Sequence, residues 1–411
     1  MRTDTVLNPD DQFEPNLAWR MLGWLLLAQI IVALVGRSIA PISPFIAEDL
    51  GLTNAQVGLL PSALFAGQML VSIPSGLLVD RMGTKKLLFI VCLMLGASYT
   101  VATLLESYVL ILLCIVLGGM AYGTMHPVTN RGILYWFPKR RRGMAMGIKQ
   151  MGITFGSALA AIVLLPIAIG SGWRIAMVGA CLLLILAGAL SYVNYKERPI
   201  QQKEGSESTK SLFVQVMSVA KYRPLVIISL VALIINGSQM SLNIYLLFYV
   251  GNELLFGLAI AGTMFVLSEV GGSVGRVVWG TISDTFFGGS RFAVMLILTI
   301  IGFGGSLSMT FLEPTTPVWL LGLLIFILGF AVSGFNGLWM NIATELTPPE
   351  KAGLASGFSL TIGSVGVIIF PPVFGMISDI NNSFIASWIF MAGLMLLAAL
   401  LLLVLRKTRK F

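Results

Sequence analysis

Residues Gly76-Leu-Leu-Val-Asp80-Arg81-Met-Gly83-Thr-Lys85-Lys86 form a short charged connection between two long apolar runs, 55–79 and 85–105. A weaker copy, Gly280-Thr-Ile-Ser-Asp284-Thr-Phe-Phe-Gly288, follows the apolar run 256–282. A second landmark is also repeated. Arg142-Gly143-Met-Ala145-Met-Gly147 opens one run, and Ala352-Gly353-Leu-Ala355-Ser-Gly357 opens another. Two landmarks repeated at a near-constant offset indicate that the chain is an internal duplication.

The composition names the solvent. The 411 residues are 57% hydrophobic and 11% charged, whereas soluble domains carry about 25% charged residues. Crossing the hydrocarbon core takes about 20 apolar residues in a helix. Twelve runs meet this: 20–46, 55–79, 85–105, 108–137, 143–169, 173–195, 224–249, 256–282, 292–312, 317–343, 352–378 and 384–405. Alternation at period 2 is absent, which argues against a barrel. The expected fold is therefore all-α and integral to the membrane, with twelve transmembrane helices in two pseudo-symmetric six-helix bundles. The polar stretch 196–223 separates them, giving a first bundle over 1–195, a cytoplasmic linker, and a second bundle over 224–411.

Lys and Arg cluster at Arg81/Lys85/Lys86, Lys139–Arg142, Lys196–Arg223 and Arg406–Lys410, and the alternate short loops hold none. That is a positive-inside pattern with both termini cytoplasmic, and it accounts for the net charge of +8. Bases spread over short loops give no support to nucleic-acid binding. The polar start lacks a basic-then-apolar layout, so no cleaved signal peptide is expected. Cys92, Cys114 and Cys181 lie inside apolar runs without metal-ligand spacing, and read as small packing residues. No metal or other cofactor is expected.

The G-x-x-x-D-R-x-G-x-K-K stretch, its weaker copy, the twelve runs and the central linker resemble the major facilitator superfamily along essentially the whole chain. The resemblance implies two six-helix bundles rocking about a central site. It implies a conformational gate formed by Gly76, Asp80, Arg81 and Gly83 and, in the second half, by Gly280 and Asp284. In it, Asp80 faces the first turn of the eleventh run, and Arg131 is placed to pair with Asp80. The segment Tyr135-Trp-Phe-Pro138…Arg142-Gly143-Met-Ala145-Met-Gly147 is similar to bacterial members that carry small organic or inorganic anions. Proton-driven drug exporters of the family carry Gly-Pro in the fifth run. Here Gly156-Ser157 stands instead, which lowers that reading. Gly76 and Gly83 are expected to allow close helix approach and a tight loop. The pairs Gly119/Gly123, Gly143/Gly147, Gly152/Gly156 and Gly353/Gly357 are expected to mark helix–helix seams.

The candidate site rests on the few charges within the runs. Glu269 is the one acid placed mid-membrane, alongside Arg37, Lys149 and, nearer a helix end, Arg276. An intramembrane ionisable group is a functional candidate by default. Guanidinium offers a bidentate fork to a carboxylate, so Arg37 suits an anionic substrate; the alternative is a structural ion pair, with Glu269 its candidate partner. Lys149 adds a second positive charge unless it snorkels to the nearby interface, and Gln150 beside it offers an amide. His126 is a packing residue or a proton relay, and Asn336 occupies its place in the second half. Asn236, Gln239 and Asn243 fall at i, i+3 and i+7, on one helix face, with Tyr245 just beyond. An Arg four residues before Gly280 is similar to the arginine that meets the substrate carboxylate in monocarboxylate and oxalate carriers of the family; this implies a substrate role for Arg276.

Three bases against one acid favour a small organic anion, a carboxylate, taken up by proton symport through alternating access, with Glu269 coupling the proton. The expected partners are that anion, protons and the lipid bilayer, with the protein a monomer. Rival readings are a proton-coupled exporter of hydrophobic or drug-like compounds, an anion exchanger or nitrate-like carrier, and a non-transporting receptor. No nucleophile–base set appears, so an enzyme is not expected.

Overall fold

The computed structural model describes residues 14–72, 74–197, 219–288, 290–347 and 352–408, so most of the expected linker lies outside them. Among the described residues the chain is helix and turn, with no strand. Eleven helices are long and apolar enough to cross a membrane, and twelve when a bent pair counts as one span. The chain is a multi-pass membrane protein. Its spans are Pro15–Leu50, the pair Asn54–Val71 with Pro74–Met82, Thr84–Thr103, Tyr108–Trp136, Met144–Ser171, Trp173–Asn194, Arg223–Glu253, Gly257–Phe286, Arg291–Phe311, Val318–Glu345, Leu354–Asn381 and Ile385–Arg406. They are numbered 1 to 12 below.

Several spans are interrupted where the sequence demands it. Span 1 is two helices, Pro15–Gly36 and Ile39–Leu50, and Arg37 sits at the break with φ −99° and ψ 1°. A proline ring excludes the carbonyl of the residue four before it; for Pro41 that residue is Arg37. The break therefore carries an arginine that the sequence alone placed within a continuous helix. Span 2 breaks before Pro74, which starts its second helix. Span 5 absorbs Pro166 through a π segment, Ala160–Leu164, a common accommodation of a disturbed ladder. Span 10 breaks between Val332 and Asn336.

The chain forms two compact units. One comprises Met1–Ser38, Ala66–Ala160 and Arg174–Gln202, and the other Ile39–Phe65, Ala161–Trp173 and Lys203–Phe411. Two crossings between them fall at interruptions already named, at Ser38–Ile39 in span 1 and Ala160–Ala161 in span 5.

In the first unit, spans 1 and 5 touch along Gly152 and Gly156. A Cβ on Gly156 would lie 2.3 Å from the carbonyl oxygen of Ile30, so only glycine permits this approach. The charged connection is fixed by Glu197. Gly83 adopts φ +80°, and the next two backbone N–H groups, of Thr84 and Lys85, donate to the Glu197 carboxylate at 3.0 and 2.5 Å. A carboxylate on the first turn of a helix satisfies unpaired donors and complements the dipole. Arg131 donates to Asp80 and, at 2.9 Å, to the Tyr135 hydroxyl.

Two expectations for glycines need correction. A Cβ at Gly76 would meet nothing within 4 Å, so its lack of a side chain serves no close approach; the same holds at Gly280. Gly147 and Gly357 are likewise open, whereas Gly123, Gly152 and Gly156 do sit in contact. Spacing alone cannot tell which side of a helix faces a neighbour.

In the second unit, spans 7 and 11 meet so closely that a Cβ on Gly366 would lie 1.9 Å from the Leu233 carbonyl oxygen. Two further carboxylates cap helices here. Asp379 accepts from the backbone N–H groups of Asn54 and Ala55 at 2.9 and 2.8 Å. Glu253 accepts from the Ser383 hydroxyl and the Phe384 N–H, both at 2.7 Å, where span 12 begins.

Candidate functional site

In the first unit, span 4 presents Tyr122, His126 and Asn130 at intervals of four, which places them along one side of the helix. Arg37, at the break in span 1, donates from Nε to the Tyr122 hydroxyl at 3.3 Å. The Tyr122 ring meets the His126 ring edge-on, with centroids 6.3 Å apart. A Cβ on Gly36 would lie 2.4 Å from the Tyr122 ring, so the glycine before Arg37 lets this tyrosine come up beside it. Lys149, from span 5, is 2% exposed and donates from Nζ to Asn130 Oδ1 at 2.7 Å. It does not snorkel. His126 lies within electrostatic reach of both Lys149 and Arg37.

Cationic groups therefore gather in this unit beside a tyrosine, a histidine and an amide. Among the described residues Lys149 makes no ion pair with a carboxylate. A buried ammonium held by a neutral oxygen keeps its charge uncompensated, an arrangement that is costly unless an anion completes it. Gln150, next along span 5, is exposed.

The second unit holds the acid. Glu269 is 4% exposed and accepts a hydrogen bond from Asn243 Nδ2 at 2.8 Å. The Arg276 guanidinium, seven residues along span 8, donates from Nε to the Ser333 carbonyl at 3.3 Å. That carbonyl lies at the break in span 10, where helical pairing stops. The amides of span 7 share a side of the helix. Asn236 lies against Gly363 of span 11, Asn243 reaches Glu269 of span 8, and Gln239 is buried. Asn336 opens the second helix of span 10.

Tyr245 belongs elsewhere. It is fully buried, its hydroxyl lies 2.8 Å from the Asn54 carbonyl and 2.7 Å from that of Pro371, and its ring stacks on Phe374. It packs with the Asp379 cap. Of the second-half gate residues, Asp284 is exposed and makes no ion pair among the described residues. Arg81 is exposed as well.

Sequence reasoning passed over Tyr122 and left Asn130 without a role, although their spacing from His126 was available. It gave none to Glu197 or Asp379, whose bonds run to backbone groups far away in the chain.

Comparison with known proteins agrees with this architecture. The family model described as Major Facilitator Superfamily matches residues 25–364 and 289–411. The hexuronate transporter of Bacillus subtilis is 22% identical, over 92% of this chain and 92% of that protein. The probable sulfoacetate transporter SauU of Cupriavidus necator is 28% identical, over 89% and 88%. The membrane sensor protein UhpC of Salmonella typhimurium is 26% identical, over 75% and 73%. Among solved structures, that of the nucleoside transporter NupG superposes with a TM-score of 0.78 at 15% identity, over 95% of this chain and 99% of that one.

Proposed function

The chain belongs to the Major Facilitator Superfamily, and from that premise we propose that it is a secondary active transporter of a small organic anion, driven by protons through alternating access. The observation that carries this reading is Lys149, buried and paired with an amide instead of a carboxylate, in the same unit as Arg37 and His126. A buried, uncompensated ammonium repels a cationic solute and is best completed by an anionic one. The relatives' names point the same way, since hexuronate and sulfoacetate are both anionic. The basic loops orient the termini to the cytoplasm by the positive-inside rule, and the favoured direction is uptake.

Glu269 is the proton site of this mechanism. Its partner is an amide, which suits both protonation states: the Asn243 NH2 donates to the carboxylate, and after a flip its oxygen accepts from the carboxylic acid. An arginine partner would favour the charged form alone. Substrate binding at Arg37 and Lys149, with proton binding at Glu269, need only stabilise the occluded state relative to the open ones.

The test is uptake in proteoliposomes under an inward proton gradient, with labelled glucuronate, sulfoacetate and glucose 6-phosphate. One of these anions accumulates, Arg37→Ala abolishes the accumulation, and Glu269→Gln leaves exchange but removes concentration. Full concentrative uptake by Glu269→Gln overturns the coupling role. The UhpC relationship favours one other reading, a sensor; anion binding by the purified protein without any uptake would establish that instead.

A further inference from the structure

We infer that Asn130 is a charge-selectivity residue: it positions the Lys149 ammonium without neutralising it, and so keeps that charge for the anion. The inference rests on the anion reading above.

The geometry is specific. Asn130 lies on the same side of span 4 as Tyr122 and His126, and the next residue, Arg131, turns to Asp80. Its Oδ1 takes one of the Lys149 N–H bonds at 2.7 Å, reaching across to span 5. An ammonium has three donors and no acceptor, so two remain for other groups. The amide oxygen fixes where the nitrogen sits but supplies no formal charge.

Aspartate would fit the same space, since it differs from asparagine by one oxygen in place of one nitrogen. It would also form a buried ion pair and relieve the cost of an isolated cation. A residue serving stability alone is expected to be that aspartate. An amide at this position instead leaves a positioned, uncompensated cation, to be completed by an oxyanion such as a carboxylate, sulfonate or phosphate. Replacing the amide by a carboxylate places a fixed anion where the substrate's charge is needed.

The experiment compares the purified wild type with Asn130→Asp and Asn130→Gln. Ligand-free melting temperature is measured first. The melting shift and uptake KM follow for glucuronate, sulfoacetate and glucose 6-phosphate, with uncharged glucose as control. Asn130→Asp is expected to melt at or above the wild type, to lose the anion-induced shift, and to raise KM by at least about tenfold, the equivalent of one decade in affinity. Asn130→Gln, which stays neutral, is expected to retain the shift. Anion binding by Asn130→Asp equal to the wild type overturns the proposal. So does failure of that variant to fold, because a carboxylate beside an uncompensated cation must stabilise it. Loss of the shift in Asn130→Gln to the same extent as in Asn130→Asp overturns it too, since shape and not charge would then be responsible. If the wild type itself responds to none of the anions, it is the anion reading that falls, and this inference with it.

Discussion

Asp379 receives the backbone N–H groups of Asn54 and Ala55 in one carboxylate, 325 residues along the chain from Asn54. The grip is reinforced from both sides. Asn54 Nδ2 donates to the Ser378 hydroxyl at 3.0 Å, and the Tyr245 hydroxyl lies 2.8 Å from the Asn54 carbonyl. Hydrogen bonds to a charged acceptor are about twice as strong as neutral ones, and a helix N-terminus favours the anion further. Asp379→Asn can accept only one of the two N–H bonds and turns its NH2 against the other. The variant is expected to lose about 1–2 kcal/mol of stability, read as a lower melting temperature in detergent. Asp379→Glu is expected to recover part of it.

Asn243→Leu addresses the acid. It removes the donor that Glu269 accepts and leaves a buried carboxyl without that bond. A buried polar group deprived of its partner costs about 1–3 kcal/mol. Melting should fall by a corresponding amount, and concentrative uptake should fall more than exchange, because the proton step is the one disturbed. Equal losses in both assays would mean that Asn243 acts on folding alone.

The sequence discloses spans far better than faces. Apolar length decides that a helix crosses the membrane, and the charged connections decide the family; both are local properties. Arg37, Lys149 and Glu269 stood out because charge within an apolar run is rare. Of their partners, Asn243 showed through its spacing from Asn236 and Gln239, whereas Asn130 and Tyr122 did not: they are neutral, and neutral polar residues are common enough in spans to carry little signal by themselves. Glu197 and Asp379 act on backbone donors of distant helices, which no side-chain pattern announces. Tyr245 looked like part of the polar side of span 7, but it follows Asn243 by two residues and so lies about 200° further round the helix.

The charged connection gives a matched pair of substitutions. Gly83 holds φ +80° with ψ 167°, and a Cβ there would stand 3.1 Å from the Glu197 carboxyl. A side chain in that backbone region costs about 1–3 kcal/mol, and displacing Glu197 uncaps span 3 as well. Gly83→Ala is therefore expected to destabilise by at least that amount. Gly76 lies within the helix Pro74–Met82 and has open space around it. There, alanine gains helix propensity of about 1 kcal/mol, so Gly76→Ala is expected to melt at or above the wild type. A thermal scan of both variants separates the conformational glycine from the permissive one, although the two belong to one motif.

Span 11 offers the same contrast on a single helix. Gly366 and Gly357 both lie inside Ala352–Asn381, and both would gain helix propensity as alanine. At Gly366 the added methyl would meet the Leu233 carbonyl oxygen at 1.9 Å and its carbonyl carbon at 2.7 Å. These are backbone atoms of span 7, which cannot move without parting the two helices along the seam that Gly237 shares. Overpacking a closed contact costs about 1–3 kcal/mol, more where backbone must shift, which outweighs the propensity gain. Gly366→Ala is expected to lower the melting temperature and the yield of folded protein. At Gly357 nothing stands within 4 Å of the added atom, so Gly357→Ala is expected to be neutral or stabilising, and equal destabilisation by the two variants would show that the seam between spans 7 and 11 does not depend on Gly366.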